Sequence, residues 1–128
     1  FGLWKDKSCI DSIRISTNSE RTSYEWYWMI NAWIEKTKQI SKVDAAMISS
    51  VVPAAEDQLC ATFQEMSVEQ THKVTSHLKF PYKINAADFP TIGADRLVNA
   101  ASGVLYYGDD LIIVDLGTAI TFCVISGG

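Results

Sequence analysis

Clustered metal ligands, a basic charge excess and long apolar runs are all missing from this sequence, and each absence removes a class of function. The three cysteines, Cys9, Cys60 and Cys123, are far apart and form no CxxC pair. The two histidines, His72 and His77, stand far from every cysteine. Disulfide frameworks and zinc sites both need paired or clustered ligands, so neither is expected, and a reduced cytosolic compartment fits best. Lys and Arg total 11 against 15 Asp and Glu, a net charge of −4. A binder of nucleic-acid backbones normally carries a basic face, so nucleic acid is not expected as a partner. No run is long and apolar enough to span a bilayer, and the first residues do not read as a secretion signal, so no membrane association is expected. There is also no internal repeat, low-complexity tract or Pro/Gly-rich linker.

What is present supports one modest core: 48% of the 128 residues are hydrophobic. The chain starts without Met and stops at Gly127-Gly128 just after a strand-like run, so both ends read as cuts. It reads as an internal piece, short for a two-substrate enzyme and inactive by itself.

The element pattern alternates strands and helices, which predicts an α/β fold. Residues 8–16 alternate roughly, as an edge strand does. Thr22, three residues before Glu25, gives a capping-box signal. The helix after it carries Trp26, Met29, Ile30, Trp33 and Ile34 at spacings of three and four, an apolar stripe for the core or a subunit contact. Residues 44–52 read as a short buried strand stopped by Pro53, followed by a helix over 55–66 with Leu59, Phe63 and Met66 on one side. Residues 73–80 are ambiguous, an edge strand at best, and the Pro81–Pro90 region reads as loop. A second helix spans 95–107, with Leu97, Ala100, Ala101, Val104 and Leu105 aligned and Gly108 as its stop. Strands at 111–115 and 119–125 form a hairpin around a tight Gly-containing turn. His72 and His77 are expected on the surface, and Tyr106-Tyr107 in packing.

Two constellations carry chemistry. Gly93-Ala94-Asp95-Arg96 lies where a loop enters a helix. A carboxylate in a helix's first turn is favoured by the exposed N–H groups and the dipole. From there Asp95 could accept a proton from a substrate hydroxyl, a step worth about 10²–10⁴ in rate. Arg96 offers a planar fork for a carboxylate or phosphate. On these four residues alone the plainer reading is preferred: a helix-capping Asp beside a surface Arg. The second constellation is Asp115-Leu116-Gly117-Thr118-Ala119, an acidic residue closing a buried strand before a tight turn. Backbone N–H groups of such a turn can bind phosphate, Thr118 adds a hydroxyl, and Asp115 could ligate a cation. An ordinary hairpin turn would use the same residues.

In order along the chain, Phe1-Gly2-Leu3, Arg14-Ile15-Ser16-Thr17, Arg21-Thr22 with Glu25, the segment from Ile48 to Pro53, Gly93 to Arg96 with Asn99-Ala100, and Asp115 to Ala119 resemble the motifs of type III pantothenate kinases. That family belongs to the actin, Hsp70 and sugar-kinase superfamily. Asp95 and Asp115 stand twenty positions apart, as the family's two motifs usually do. The resemblance implies a ribonuclease H-like, actin-like ATPase fold. Residues 1–110 would be the first domain without its N-terminal phosphate loop, and residues 111–128 the truncated start of the second. It implies ATP-dependent phosphorylation of pantothenate to 4'-phosphopantothenate, the first step of coenzyme A synthesis, by a cytoplasmic homodimer. Asp95 would be the general base, and Gly93, Ala94, Asp95 and Arg96 would line the pantothenate pocket. Asp115 would hold a monovalent cation (K⁺ or NH₄⁺), and Gly117 and Thr118 would contact ATP, which is used with Mg²⁺. The sequence departs from the pattern at Ala86, where many members place a substrate-contacting Tyr, with Tyr82 four residues earlier, and at Pro90, one place later than usual. A non-catalytic binding or regulatory relative of the same fold is the alternative.

Overall fold

The computed structural model describes residues 1–84, 92–117 and 119–127. The expectations for Ala86, Pro90, Thr118 and Gly128 therefore lie outside the described residues. The described elements are mixed α/β with small sheets: β1 (Gly2–Lys5), β2 (Ser8–Ser12), α1 (Ser23–Thr37), β3 (Ala45–Ile48), α2 (Pro53–Glu65), β4 (Gln70–Lys73), α3 (Ala94–Tyr107), β5 (Leu111–Leu116) and β6 (Ile120–Ile125). Three two-stranded sheets form, β1–β2, β3–β4 and β5–β6. The chain divides into two compact units, residues 1–48 with 52–72, and residues 49–51 with 73–128.

In the first unit, β1 and β2 are antiparallel, and the ladder slips by one residue between Leu3 and Trp4. Asp6 and Lys7 turn the chain between them, both at positive φ (49° and 66°). Positive φ at both central residues matches the right-handed twist of a hairpin. Helix α1 begins on the anticipated capping box. The Glu25 amide donates to Thr22 Oγ1 at 3.3 Å, and the Thr22 amide donates to Glu25 Oε2 at 2.8 Å. Its stripe is core: Trp26, Ile30, Trp33 and Ile34 are buried with Leu3. Trp33 Nε1 donates to Asp11 Oδ2 at 2.8 Å, whereas Trp26 Nε1 is buried with no acceptor among the described residues. Helix α2 starts on Pro53, whose missing N–H costs nothing at that position. It locks to α1 through Thr62, fully buried, with Oγ1 at 3.0 Å from the Ser23 carbonyl and 2.8 Å from that of Gln58.

The second unit holds α3 and the β5–β6 hairpin. Helix α3 buries Ala94, Leu97, Ala100 and Gly103, a spacing of three that follows one face. Leu97 packs with Val74 and with half-buried Phe80, Ile84 and Ile92. Strands β5 and β6 pair in register from Leu111↔Ile125 to Leu116↔Ile120. Alternate residues turn toward α3, and the opposite face, Ile112, Val114, Leu116, Ile120, Phe122 and Val124, is exposed.

Several expectations change. The strand expected at 8–16 ends at Ser12, and the one expected at 44–52 covers only Ala45–Ile48. The edge strand sought at 73–80 lies earlier, at Gln70–Lys73, where a polar QTHK run gives no apolar alternation to mark it. The run expected as a buried strand at 111–115 reaches Leu116 and is half-buried on one face and exposed on the other. Tyr106 and Tyr107 do not pack: they are 73% and 84% exposed, and the buried positions of α3 end at Gly103, before its last turn. His72 and His77 are exposed, as expected.

Candidate active site

The residues singled out at both motifs belong to the second unit, and α3 organises them. Gly93 is its N-cap in extended backbone, and Ala94, Asp95 and Arg96 form the first turn. Asp95 Oδ1 accepts the Arg96 amide at 2.8 Å, so the carboxylate folds back onto the helix start. That pose requires a glycine before it, since a Cβ on Gly93 would sit 2.5 Å from Asp95 Oδ1 and 3.4 Å from Val51 Cγ1. Asp95 is exposed, and Ala94 is buried beneath it.

Arg96 does not extend into solvent. Its Nε donates to Cys123 Sγ at 3.2 Å and one Nη donates to the Phe122 carbonyl at 3.3 Å, both on β6. Asn99 follows Asp95 by four residues, one helical turn on, and its Nδ2 donates to Asp115 Oδ2 at 3.4 Å. This bridge brings the two motifs onto one surface. Asp115 is half-buried and does not close its strand as expected. It pairs with Thr121 one position before the end of β5. The Gly117 amide donates to the Ala119 carbonyl at 3.1 Å across the turn. Thr118, expected to meet phosphate, lies outside the described residues.

Cys123 is the participant that sequence reasoning gave no part in the site; Asn99 entered there only as part of the Gly93–Arg96 motif, and Tyr82 only as the tyrosine four residues before Ala86. Asn99 had a readable signal, the i+4 spacing from Asp95. Cys123, twenty-seven residues from Arg96, had none. Tyr82 donates its hydroxyl to the Leu97 carbonyl at 2.8 Å and stacks on Phe80 at 5.3 Å. Burial, and then the nearby Cys123, push its hydroxyl up to about 12. Tyr82, Arg96 and Cys123 share the wall of an open groove of about 730 Å³. Asp95, Asn99 and Asp115 lie outside its lining. A larger groove of about 1040 Å³, in the first unit, contains none of the site residues.

Among the described residues, no group of three or more His, Cys, Asp or Glu side chains could hold a metal ion. One carboxylate with one amide beside it suits an oxygen-liganded cation that shares its shell with substrate or water better than an all-protein cage. No described helix is long and apolar enough to cross a membrane.

A family model for type III pantothenate kinase matches residues 1–128, the whole chain. A type III pantothenate kinase of Persephonella marina is 38% identical, with the match covering 98% of this chain and 50% of that protein. A type III pantothenate kinase of Cereibacter sphaeroides is 30% identical, over 98% of this chain and 49% of that protein. The chain thus spans about half the length of both curated relatives. With its motifs and its full length covered by that one family model, the chain belongs to the type III pantothenate kinase family.

Proposed function

We propose that the protein to which this chain belongs transfers the γ-phosphoryl group of ATP to the terminal hydroxyl of pantothenate, giving 4'-phosphopantothenate and ADP. The observation that carries this reading is the Asn99–Asp115 bridge, which puts the Asp95 turn and the Asp115 turn on one face of one compact unit. Phosphoryl transfer asks for positioning and charge neutralisation more than for covalent chemistry. Asp95 takes the hydroxyl proton as oxygen attacks phosphorus and the bond to ADP breaks. The Arg96 amide holds its Oδ1, leaving Oδ2 as the proton acceptor. Gly93, Ala94 and Arg96 line the pantothenate pocket with it. Asp115, its Oδ2 oriented by Asn99, would hold the monovalent cation, K⁺ or NH₄⁺. Gly117 and Thr118 are the residues to which the resemblance gives contact with the ATP phosphates. Magnesium brought with ATP would supply the charge neutralisation that the transfer needs.

The same reading makes the fold a part of the actin-like ATPase architecture, with the first domain over 1–110 and the second beginning at β5. The second compact unit spans that boundary, which would therefore be one of topology rather than of packing. We also infer a cytoplasmic homodimer; three free thiols are in keeping with a reducing compartment.

The test is ATP-dependent phosphorylation of pantothenate by the whole protein, with and without K⁺, beside Asp95→Asn. The expected result is K⁺-stimulated turnover that falls by about 10²–10⁴ in the variant. A folded wild type with no turnover sinks the kinase reading. Undiminished turnover in Asp95→Asn sinks the base assignment alone.

A further inference from the structure

We propose that Cys123 is a positioning residue that orients Arg96 toward substrate, an inference that rests on the reading of Arg96 as part of the pantothenate pocket. The guanidinium is planar, so two anchored donors fix the plane and the direction of the whole fork. Here Nε points at Cys123 Sγ and one Nη at the Phe122 carbonyl, two successive positions on one strand. Strand geometry makes this pairing possible. Cys123 is half-buried on the face of β6 that turns toward α3 and sits opposite Ile113, whereas the Phe122 side chain points away and is 62% exposed. Phe122 therefore contributes only backbone, and Cys123 is the one side-chain anchor of the two. Sulfur is a weak acceptor, so the thiol steers a flexible side chain without a carboxylate's strong grip. The same strand pair carries Asp115, opposite Thr121. The hairpin that holds the cation-site carboxylate thus also sets where the substrate-site arginine points.

Two measurements test this separately from the kinase reading. The first follows exchange of the Arg96 Nε–H by nitrogen-15 NMR in wild type, Cys123→Ala and Cys123→Ser. Loss of the sulfur should speed exchange roughly three- to tenfold in the alanine variant, and serine, which keeps an acceptor, should restore most of the protection. The second is steady-state kinetics of the whole protein. Cys123→Ala should raise KM for pantothenate by a similar roughly three- to tenfold factor, with kcat and KM for ATP within about twofold of wild type. Serine should recover KM. A purely packing role for Cys123 would instead lower thermal stability and leave KM unchanged. Unchanged Nε–H exchange overturns the proposal, as does faster exchange with unchanged KM. If the wild type does not phosphorylate pantothenate, the kinase reading fails and the exchange experiment alone decides whether Cys123 orients Arg96.

Discussion

Replacing Gly103 with valine should loosen α3 from the hairpin. Gly103 is buried in mid-helix, where a residue without a side chain ordinarily costs about 1 kcal/mol relative to alanine. Its place is explained by close approach. A Cβ there would lie 2.8 Å from Leu111 Cδ1 and 3.0 Å from Ile113 Cδ1. Both are ends of half-buried side chains that can yield in part. Overpacking of this kind costs about 1–3 kcal/mol. For alanine, the helix-propensity gain of about 1 kcal/mol offsets a cost at the low end of that range, and the net is near zero. For valine the propensity gain shrinks to about 0.4 kcal/mol while two more methyls enter, so the net loss should be about 1–2 kcal/mol. Tryptophan fluorescence would miss it, because all four tryptophans belong to the first unit. Native-state amide exchange reads it directly: amides of α3 and β5 should exchange roughly 5–30 times faster in Gly103→Val, with those of α1 unchanged. Unchanged exchange in α3 would show that the helix does not rest on β5 through Gly103, and the account of the site built on that contact would fall.

Two further outcomes are expected. Thr22→Ala should cost about 1 kcal/mol in the first unit, read by tryptophan fluorescence in urea. The Thr22 amide, then its hydroxyl, hold the Glu25 carboxyl below its ordinary range, so the cap's contribution is present above that range and lost as pH falls; the variant keeps the amide and should lose only the hydroxyl's smaller share of this acid-side dependence. The Tyr82 hydroxyl titrates higher folded than unfolded, so its contribution is complete below about pH 10 and lost as pH rises toward about 12. Solvent at the half-exposed ring reduces this to about 1 kcal/mol, and circular dichroism of Tyr82→Phe between these limits should show a correspondingly flatter decline than wild type.

How legible each part was depended on whether its cause was local. The start of α1 could be read because Thr22 and Glu25 make their contacts with each other, within one turn. The end of α3 could be read because Gly108 takes a backbone angle (φ 94°) that other residues avoid. The turn at Asp6-Lys7 gave little warning: Asp6 suits the first positive φ, but Lys7 stands where a glycine usually signals the second. Strand β4 gave little, because an edge strand held by backbone pairing needs no apolar pattern. At the site, Asp95 and Asp115 drew notice as chemical types, but what joins them did not. Asn99 meets Asp115 across sixteen residues and Arg96 meets Cys123 across twenty-seven. Such contacts exist only after the helix has docked. Gly103 illustrates the same limit: along the sequence it is a blemish in a helix, and only with Leu111 and Ile113 beside it does its absent side chain become the reason the helix fits.

These contacts also fix the order in which the site can exist. A two-stranded hairpin is marginal in water by itself, and β5–β6 leaves six apolar side chains of one face exposed. What holds the other face is α3, through Gly103 against Leu111 and Ile113, Asn99 against Asp115, and Arg96 against Phe122 and Cys123. The helix in turn has no side-chain cap at Gly93, and the described bonds to its first turn are Asp95's own and those of Arg96. Val74, Phe80, Ile84, Ile92 and the Tyr82 hydroxyl hold the Leu97 side of the helix, but α3 is the hairpin's main partner among the described helices and strands. The two catalytic-looking turns are therefore products of a single docking event rather than two sites that happen to be near. A change that lifts α3 anywhere along its length should displace Asp95 relative to Asp115 before it unfolds the helix, so activity should fall at a smaller perturbation than helix content does.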